Sequence, residues 1–245
     1  MRTLAEIETQ PAIQLSNSEF RDAVLELRPA VAIFDCDGTL WQGDAGYGFM
    51  IWSLERGLVS RNASDWIDSR YRLYLKGEVS EAAMCGEMVQ VYAGLQENEI
   101  RKAAAKYFKK MIAARIFPEM AQLAGELRDA GTQLWAVSST NNWVIEEGVR
   151  GLGIPAERTI CAQVKVTDGV ITSELLDVPT DEGKAASLAR AGVSEADVVF
   201  GNSIHDLAML DLGRRAFPVN PTPALLTIAA QRNWPVFYPE SMIRS

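Results

Sequence analysis

The segment FDCDGTLW at 34–41 places two carboxylates, Asp35 and Asp37, two positions apart at the end of an apolar run. On a strand, residues two apart point the same way, so both acids face one site while Cys36 faces the other side. Two acids converging at the carboxyl end of a buried strand are costly unless a cation sits between them. The competing reading is a strand that simply ends in a solvated Asp-Gly turn.

Several elements must position these acids. The runs VAIFD (31–35), QLWAVS (133–138), ADVVFGN (196–202), RAFPVN (215–220) and WPVFY (234–238) are apolar throughout, which suits strands buried on both faces of a parallel sheet. Between them lie helical patterns at 118–131, 141–153, 181–192 and 222–232, the last with Thr222 as an N-cap and Pro223 at its first position. Alternating strands and helices predict an α/β fold, a doubly wound, Rossmann-like parallel sheet. Residues 44–115 break the alternation with helix after helix. The expected division is therefore a core of 1–43 and 116–245 with an inserted all-helical cap at 44–115. QVKVTDGVITSEL at 163–175 reads as a hairpin about Asp168-Gly169, and the first 30 residues remain unassigned.

DxDGT after an apolar strand resembles the first motif of the haloacid dehalogenase (HAD) superfamily, and the helical insert resembles the cap of its phosphoserine-phosphatase-like members. In this family the first Asp attacks phosphorus and the second is general acid and base, which implies Asp35 as nucleophile of an aspartyl-phosphate intermediate and Asp37 as proton carrier. Ser138, at the end of QLWAVS, is similar to the second motif, whose hydroxyl and following backbone N–H, here that of Ser139, bind the phosphoryl group where a strand gives way to a helix. Ser139 or Thr140 could instead be N-caps. Lys184 in DEGKAASLA matches the third motif, a lysine that neutralises nucleophile and phosphate. A cation in a first helical turn opposes the helix dipole and so suggests a negative partner.

GNSIHDLAML at 201–210 resembles the fourth motif, with one departure: Asn202 stands where an Asp usually ligates magnesium. Its carbonyl oxygen is still a hard ligand without charge. Asp206 matches the second acid and is expected to pair with Lys184 or hold a metal-bound water. The resemblance thus implies Mg2+ as cofactor, with Asp35, Asp37, Asn202 and Asp206 around it. His205 lies inside the motif, but the mechanism already has its acid and base, so it reads as incidental.

What the resemblance implies is a magnesium-dependent phosphomonoesterase acting on a small phosphorylated metabolite. Asp37 argues against cleavage of a carbon–halogen bond, since a halide needs no proton donor. Asp44, nine residues after Asp35, sits where a phosphoserine phosphatase has a Glu that binds the substrate ammonium, pointing to an amine-bearing substrate such as phosphoserine. Trp41, Tyr47, Phe49, Trp52, Trp66, Tyr71, Tyr74 and Tyr92 either form an aromatic cage for a quaternary ammonium such as phosphocholine or build the cap's own core. Two alternatives stand beside hydrolysis: a non-catalytic phosphometabolite-binding protein that lost productive metal binding through Asn202, and a phosphotransferase to an acceptor other than water.

The bulk composition agrees. A net charge of −8 opposes association with nucleic acid or anionic lipid. Three cysteines without a CxxC suggest neither a disulfide framework nor zinc, and no apolar stretch is long enough to span a bilayer, so a cytoplasmic location is expected. Nothing in the residues signals an oligomeric state.

Overall fold

In the computed structural model, which describes residues 11–240, the run that carries the paired acids forms a central strand. A two-residue strand β1 (Gln14–Leu15) and helix α1 (Asn17–Leu25) precede it. Helix α1 starts with a capping box: Ser16 Oγ accepts from the Glu19 amide, and the Ser16 amide donates 2.8 Å to Glu19 Oε2. β2 (Val31–Phe34) then enters the sheet. Four helices of the insert follow, α2 (Ala45–Glu55), α3 (Arg61–Tyr74), α4 (Glu81–Gln90) and α5 (Glu97–Tyr107). Asp44, Ser60 and Ser80 cap the first three through their side chains.

The remainder alternates: α6 (Pro118–Asp129), β3 (Gln133–Asn141), α7 (Asn142–Arg150), β4 (Thr159–Thr167), β5 (Val170–Asp177), α8 (Glu182–Arg190), β6 (Ala196–Gly201), a short α9 (Leu207–Leu210), β7 (Gly213–Pro218), α10 (Pro223–Arg232) and β8 (Val236–Phe237). The main sheet runs β5-β4-β3-β2-β6-β7, parallel except for the β4–β5 hairpin. That hairpin turns on Asp168 and Gly169, whose φ of +50° and +78° suit the mirror-image turn an Asp-Gly pair favours. Topology steps one way from β2 to β3 and β4, then returns to the other side of β2 with β6 and β7. In open α/β sheets the crevice at such a switch point, beyond the carboxyl ends of the strands, is where ligands bind. Register makes this concrete, since Phe34 pairs with Ala136 on one side and Phe200 on the other. Asp35 is thereby set beside the ends of β3 and β6.

Alternate residues of β2 serve two cores, Ala32 and Phe34 on one face and Ile33 on the other, which is why the strand reads as uninterrupted apolar sequence. The first core continues without a break into the helical insert through Phe49, Tyr92 and Tyr107. Among the described residues no helix is long and apolar enough to cross a membrane.

One expected strand is not in the main sheet. WPVFY supplies only Val236–Phe237, which pair in parallel with Gln14–Leu15 as a separate two-stranded sheet. Pro235 has no N–H to give a ladder, so the run extends as a strand only beyond it. This small sheet and α1 close one side of the core: Phe20 stacks on Phe237 at 4.2 Å and meets Phe200 and Phe217 edge-on at 6.0 and 5.7 Å. Removing a fully buried phenylalanine costs about 3–5 kcal/mol through lost transfer and a residual cavity. Phe20→Ala is therefore expected to lower unfolding stability by that amount in a urea titration, and a loss below about 1 kcal/mol would show that α1 is not anchored through this ring.

Candidate active site

The backbone ladder runs one residue past β2, the Asp35 amide donating 2.9 Å to the Phe200 carbonyl, and the chain then turns sharply. The turn needs Gly38: its φ is +81°, and a Cβ there would stand 1.9 Å from Asn202 Nδ2. Asp35 is buried. Its Oδ2 accepts from Thr39 Oγ1 at 2.9 Å and its Oδ1 from Lys184 Nζ at 2.7 Å. Lys184, the third residue of α8, also donates 2.5 Å to Asp206 Oδ1. Asp206 Oδ2 in turn accepts from the amides of Asn202 and Ser203 at 2.8 and 2.9 Å.

Burial alone would lower the Lys184 pKa, but the charges of Asp206 and Asp35 outweigh it and hold the ammonium above the ordinary lysine value. Asp35 is pushed up to about 6, first by burial and then by the Asp206 charge, against the pull of Lys184 and Thr39. One lysine thus serves two carboxylates and fully neutralises neither.

Asp37 faces the same cleft with other partners. Its Oδ1 accepts from Trp41 Nε1 and the Ala45 amide, each at 2.7 Å, and its Oδ2 from Thr140 Oγ1 at 2.7 Å. Burial, followed by the Asp44 charge, nevertheless raises it to about 7. The sequence does not connect Trp41, Thr140 or the Ala45 amide with Asp37. The one local sign was a hydroxyl in the SSTN stretch, and the cap reading of Thr140 and Ser139 is corrected here: Asn141 caps α7, its Oδ1 accepting from the Val144 amide at 3.1 Å.

Ser138, Ser139 and Thr140 line the wall opposite, with Asn202 above Gly38, in a cleft of about 430 Å³. Ser138 Oγ accepts from the Thr140 amide at 3.2 Å, which leaves its hydroxyl hydrogen for a ligand. The four expected metal residues are not equivalent. Asp206 Oδ1 is taken by Lys184 and its Oδ2 by two amides, whereas Asp37 accepts two donors at Oδ1 and one at Oδ2, which leaves Oδ2 room for a further partner. Asp35 and Asn202 keep open oxygens. Among the described residues no three His, Cys, Asp or Glu side chains cluster as a metal cage. This sparse, hard-oxygen donor set fits magnesium, which keeps several waters and takes one or two carboxylates plus substrate phosphate oxygens. The raised Asp35 pKa shows the same deficit of positive charge from the side of the carboxylate.

The mouth of the cleft is built by the insert. Asp44 accepts from the Tyr47 amide at 2.8 Å as N-cap of α2, and Glu81, Cys85 and Met88 contribute one stripe of α4. His205 is not incidental to the structure: its Nδ1 lies 2.7 Å from Asp181 Oδ1 and its Nε2 3.9 Å from Glu81 Oε2, spanning core and insert. None of the eight aromatic residues considered for a cage lines the cleft. Trp41, Phe49, Trp52 and Tyr92 are buried among other rings, the core reading of those residues.

Comparison with known proteins agrees with this arrangement. The chain is 26% identical over 223 residues to a phosphoserine phosphatase, SerB1, of Mycobacterium tuberculosis, covering 84% of this chain and 70% of that protein. It is 25% identical over 217 residues to a histidinol-phosphatase of Neisseria meningitidis, covering 84% and 97%. A crystal structure of a protein of unknown function from Bordetella pertussis Tohama I superposes with a TM-score of 0.76 at 22% identity, covering 84% and 97%. Residues 32–211, from the strand that carries Asp35 to the helix after Asp206, match the model of the haloacid dehalogenase-like hydrolases, and the chain belongs to that family.

Proposed function

We infer that the protein is a magnesium-dependent phosphatase that hydrolyses a small phosphomonoester through a phosphorylated Asp35. The observation that carries this reading is the pair of acids on one wall with opposite environments: Asp35 tied to a lysine at 2.7 Å, and Asp37 raised to about 7 without a cationic partner. Both are raised, Asp35 to about 6 and Asp37 to about 7, but the carboxylate bound to a cation is suited to attack and the one held by neutral donors to carry a proton. The phosphatase and histidinol-phosphatase names of the relatives support the same reaction class.

Lys184, Ser138 and the Ser139 amide hold the phosphoryl group against Asp35. A carboxylate oxygen of Asp35 attacks phosphorus, the bond to the leaving oxygen breaks, and Asp37 gives its proton to that oxygen so that an alcohol departs. Water then attacks the same phosphorus, Asp37 takes its proton, and the bond to Asp35 breaks to release inorganic phosphate. When bound by Asp35 and Asn202, Mg2+ supplies the positive charge that lets two anions approach. Thr39 and Lys184 orient the nucleophile, and Asp206 positions Lys184. Residues 44–115 act as the cap, keeping bulk water from the intermediate and selecting the leaving group, with Asp44 placed for an amine such as that of phosphoserine. Three buried free thiols, Cys36, Cys85 and Cys161, support a reducing, cytoplasmic setting.

Asp35→Asn is expected to abolish phosphate release by at least about 10³-fold, the scale of losing a covalent step, without lowering stability, because it removes one of several crowded acids. In the parent enzyme, a borohydride quench during turnover reduces the acyl phosphate, converting residue 35 to homoserine in peptide mass spectra. Turnover by Asp35→Asn, or homoserine at another position, would overturn the assignment. A parent without turnover at any magnesium concentration would select the binding-protein alternative instead.

Trp41→Phe keeps the ring and deletes a donor that holds the Asp37 pKa down. The acid must be protonated for the first step, so raising its pKa moves the alkaline limb of the kcat/KM profile upward, by about one pH unit for a hydrogen bond to a charged group worth about 1.5 kcal/mol. A downward or absent shift would remove Asp37 from that limb.

Asn202→Asp adds charge to a hard-cation site. The magnesium midpoint for activity, and for binding by calorimetry, should fall several-fold while turnover at saturating magnesium changes little. An unchanged midpoint would show that Asn202 does not touch the metal.

A further inference from the structure

The phosphate end of the cleft is generic to the family; the other end is a question of charge. Seventeen residues line the cleft, and Lys184 is the one Lys or Arg among them, already bonded to Asp35 and Asp206. At the mouth stand two more carboxylates, Asp44 and Glu81. Glu81 opens α4, and the stripe Glu81, Cys85, Met88 follows the i, i+4, i+7 spacing of one helix face turned into the cleft. Its Oε2 accepts from Tyr74 OH and its Oε1 lies 3.5 Å from Cys85 Sγ, so neutral donors fix its rotamer. His205 Nε2 stands 3.9 Å away, with its other nitrogen held by Asp181. Glu81 is close enough to disfavour the charge of Asp44, whose pKa is raised first by burial and then by the Glu81 carboxylate.

We propose that Glu81, together with Asp44, is a specificity-determining residue for the leaving group: the pair receives a primary ammonium and rejects a carboxylate, so that the substrate is the phosphate ester of an amino alcohol without an acid group. This rests on the phosphatase reading above and narrows its substrate class. A substrate carboxylate here would meet two like charges and no open lysine or arginine of the lining, and a repulsive element of that kind discriminates as strongly as an attractive one. An ammonium would satisfy both acids and supply the hydrogen bonds they can accept. A quaternary ammonium is disfavoured because it has no N–H to donate and no aromatic face lines the cleft. Cys85 and Met88 offer the carbon skeleton an apolar wall. Arg115 is not among the lining residues but stands at the rim, its Nη1 3.5 Å from the point where a Cβ on Gly43, a lining residue, would stand.

The test compares substrates that differ by one group. With magnesium and the full chain, kcat/KM is measured for phosphoethanolamine, phosphoserine, ethyl phosphate and p-nitrophenyl phosphate. Phosphoethanolamine is expected to exceed both phosphoserine and ethyl phosphate at least tenfold. Glu81→Gln should reduce the phosphoethanolamine to ethyl phosphate ratio about tenfold, chiefly through KM. Glu81→Arg should raise the phosphoserine to phosphoethanolamine ratio above that of the parent, a change of preference that a loosened fold would not produce. A parent that prefers phosphoserine, or a ratio indifferent to both substitutions, overturns the proposal while p-nitrophenyl phosphate turnover leaves the phosphatase reading standing. Preference for phosphoserine lost in Arg115→Ala would assign recognition to the rim arginine instead. No turnover of any of the four esters would remove both readings.

Discussion

The contact on which the site depends is Lys184 between Asp35 and Asp206, three charges nine-tenths or more buried and joined by bonds of 2.7 and 2.5 Å. Burying charge is expensive, and one lysine between two carboxylates leaves the group a net anion, so the triad is poor evidence for stability. Its effect is positional. The three residues come from the end of β2, the first turn of α8 and the turn after β6, and they meet only if those strands pair in register and α8 packs with its N-terminus over the strand ends. Removing Lys184 would leave two buried carboxylates without a cation, which is why the arrangement is strongly specified even though it is costly. In the proposed reaction a divalent cation would supply the positive charge that these acids and the incoming phosphate both lack.

Asp37 shows how position alone separates two neighbouring carboxylates. It has more hydrogen-bond donors than Asp35 but no cation, and the nearest charge on its other side is the acid Asp44. Neutral donors hold its orientation without forcing it to ionise, so a group anchored by an indole, an amide and a hydroxyl stays near the protonation state that proton transfer at neutral pH requires. The insert contributes to this directly. The Ala45 amide is the first of α2, so helix formation beyond residue 44 delivers a donor to a core residue eight positions earlier.

What sequence reveals here follows from how local each signal is. β2, β3 and β6 are legible because strands buried on both faces have no polar alternation, and the Asp-Gly hairpin because its turn demands positive φ. Asp35, Lys184 and Asp206 are legible because each sits at a strand end or helix start with a motif around it. Trp41 and Thr140 are not, since a buried tryptophan and a strand-end threonine have the same sequence appearance whether or not they reach Asp37. Their function depends on a contact 103 residues apart in the second case. α1 carried the Ser-x-x-Glu signature of a capping box and could have been found. The two-residue pairing of β1 with β8 could not, because it exists only through non-local packing around Phe20. Asp206 pairs with Lys184, one of the two roles its motif suggested, but residue type only offers an oxygen and the fold decides which donors take it.

The same logic divides the cleft into two chemistries. At the floor, Asp35, Asp37 and Asp206 share the cleft with one lysine, and the negative charge left over would be met, in the proposed reaction, by a divalent cation. At the mouth, Asp44 and Glu81 belong to helices of the insert, and neither has a lysine or arginine partner that would absorb its charge. Two like charges facing a cleft, with only His205 Nε2 at 3.9 Å from one of them, are unfavourable in the free protein. They persist because the helix cap of α2 and the Tyr74 hydroxyl hold them in place, and because the site stays open to solvent until a ligand arrives. Charge at the floor thus bears on the step that the proposed reaction shares among all substrates, whereas charge at the mouth bears on what distinguishes one alcohol from another. Under the proposal the insert would change its leaving group by exchanging residues at the starts of two helices, α2 and α4, without disturbing the buried lysine on which the chemistry rests.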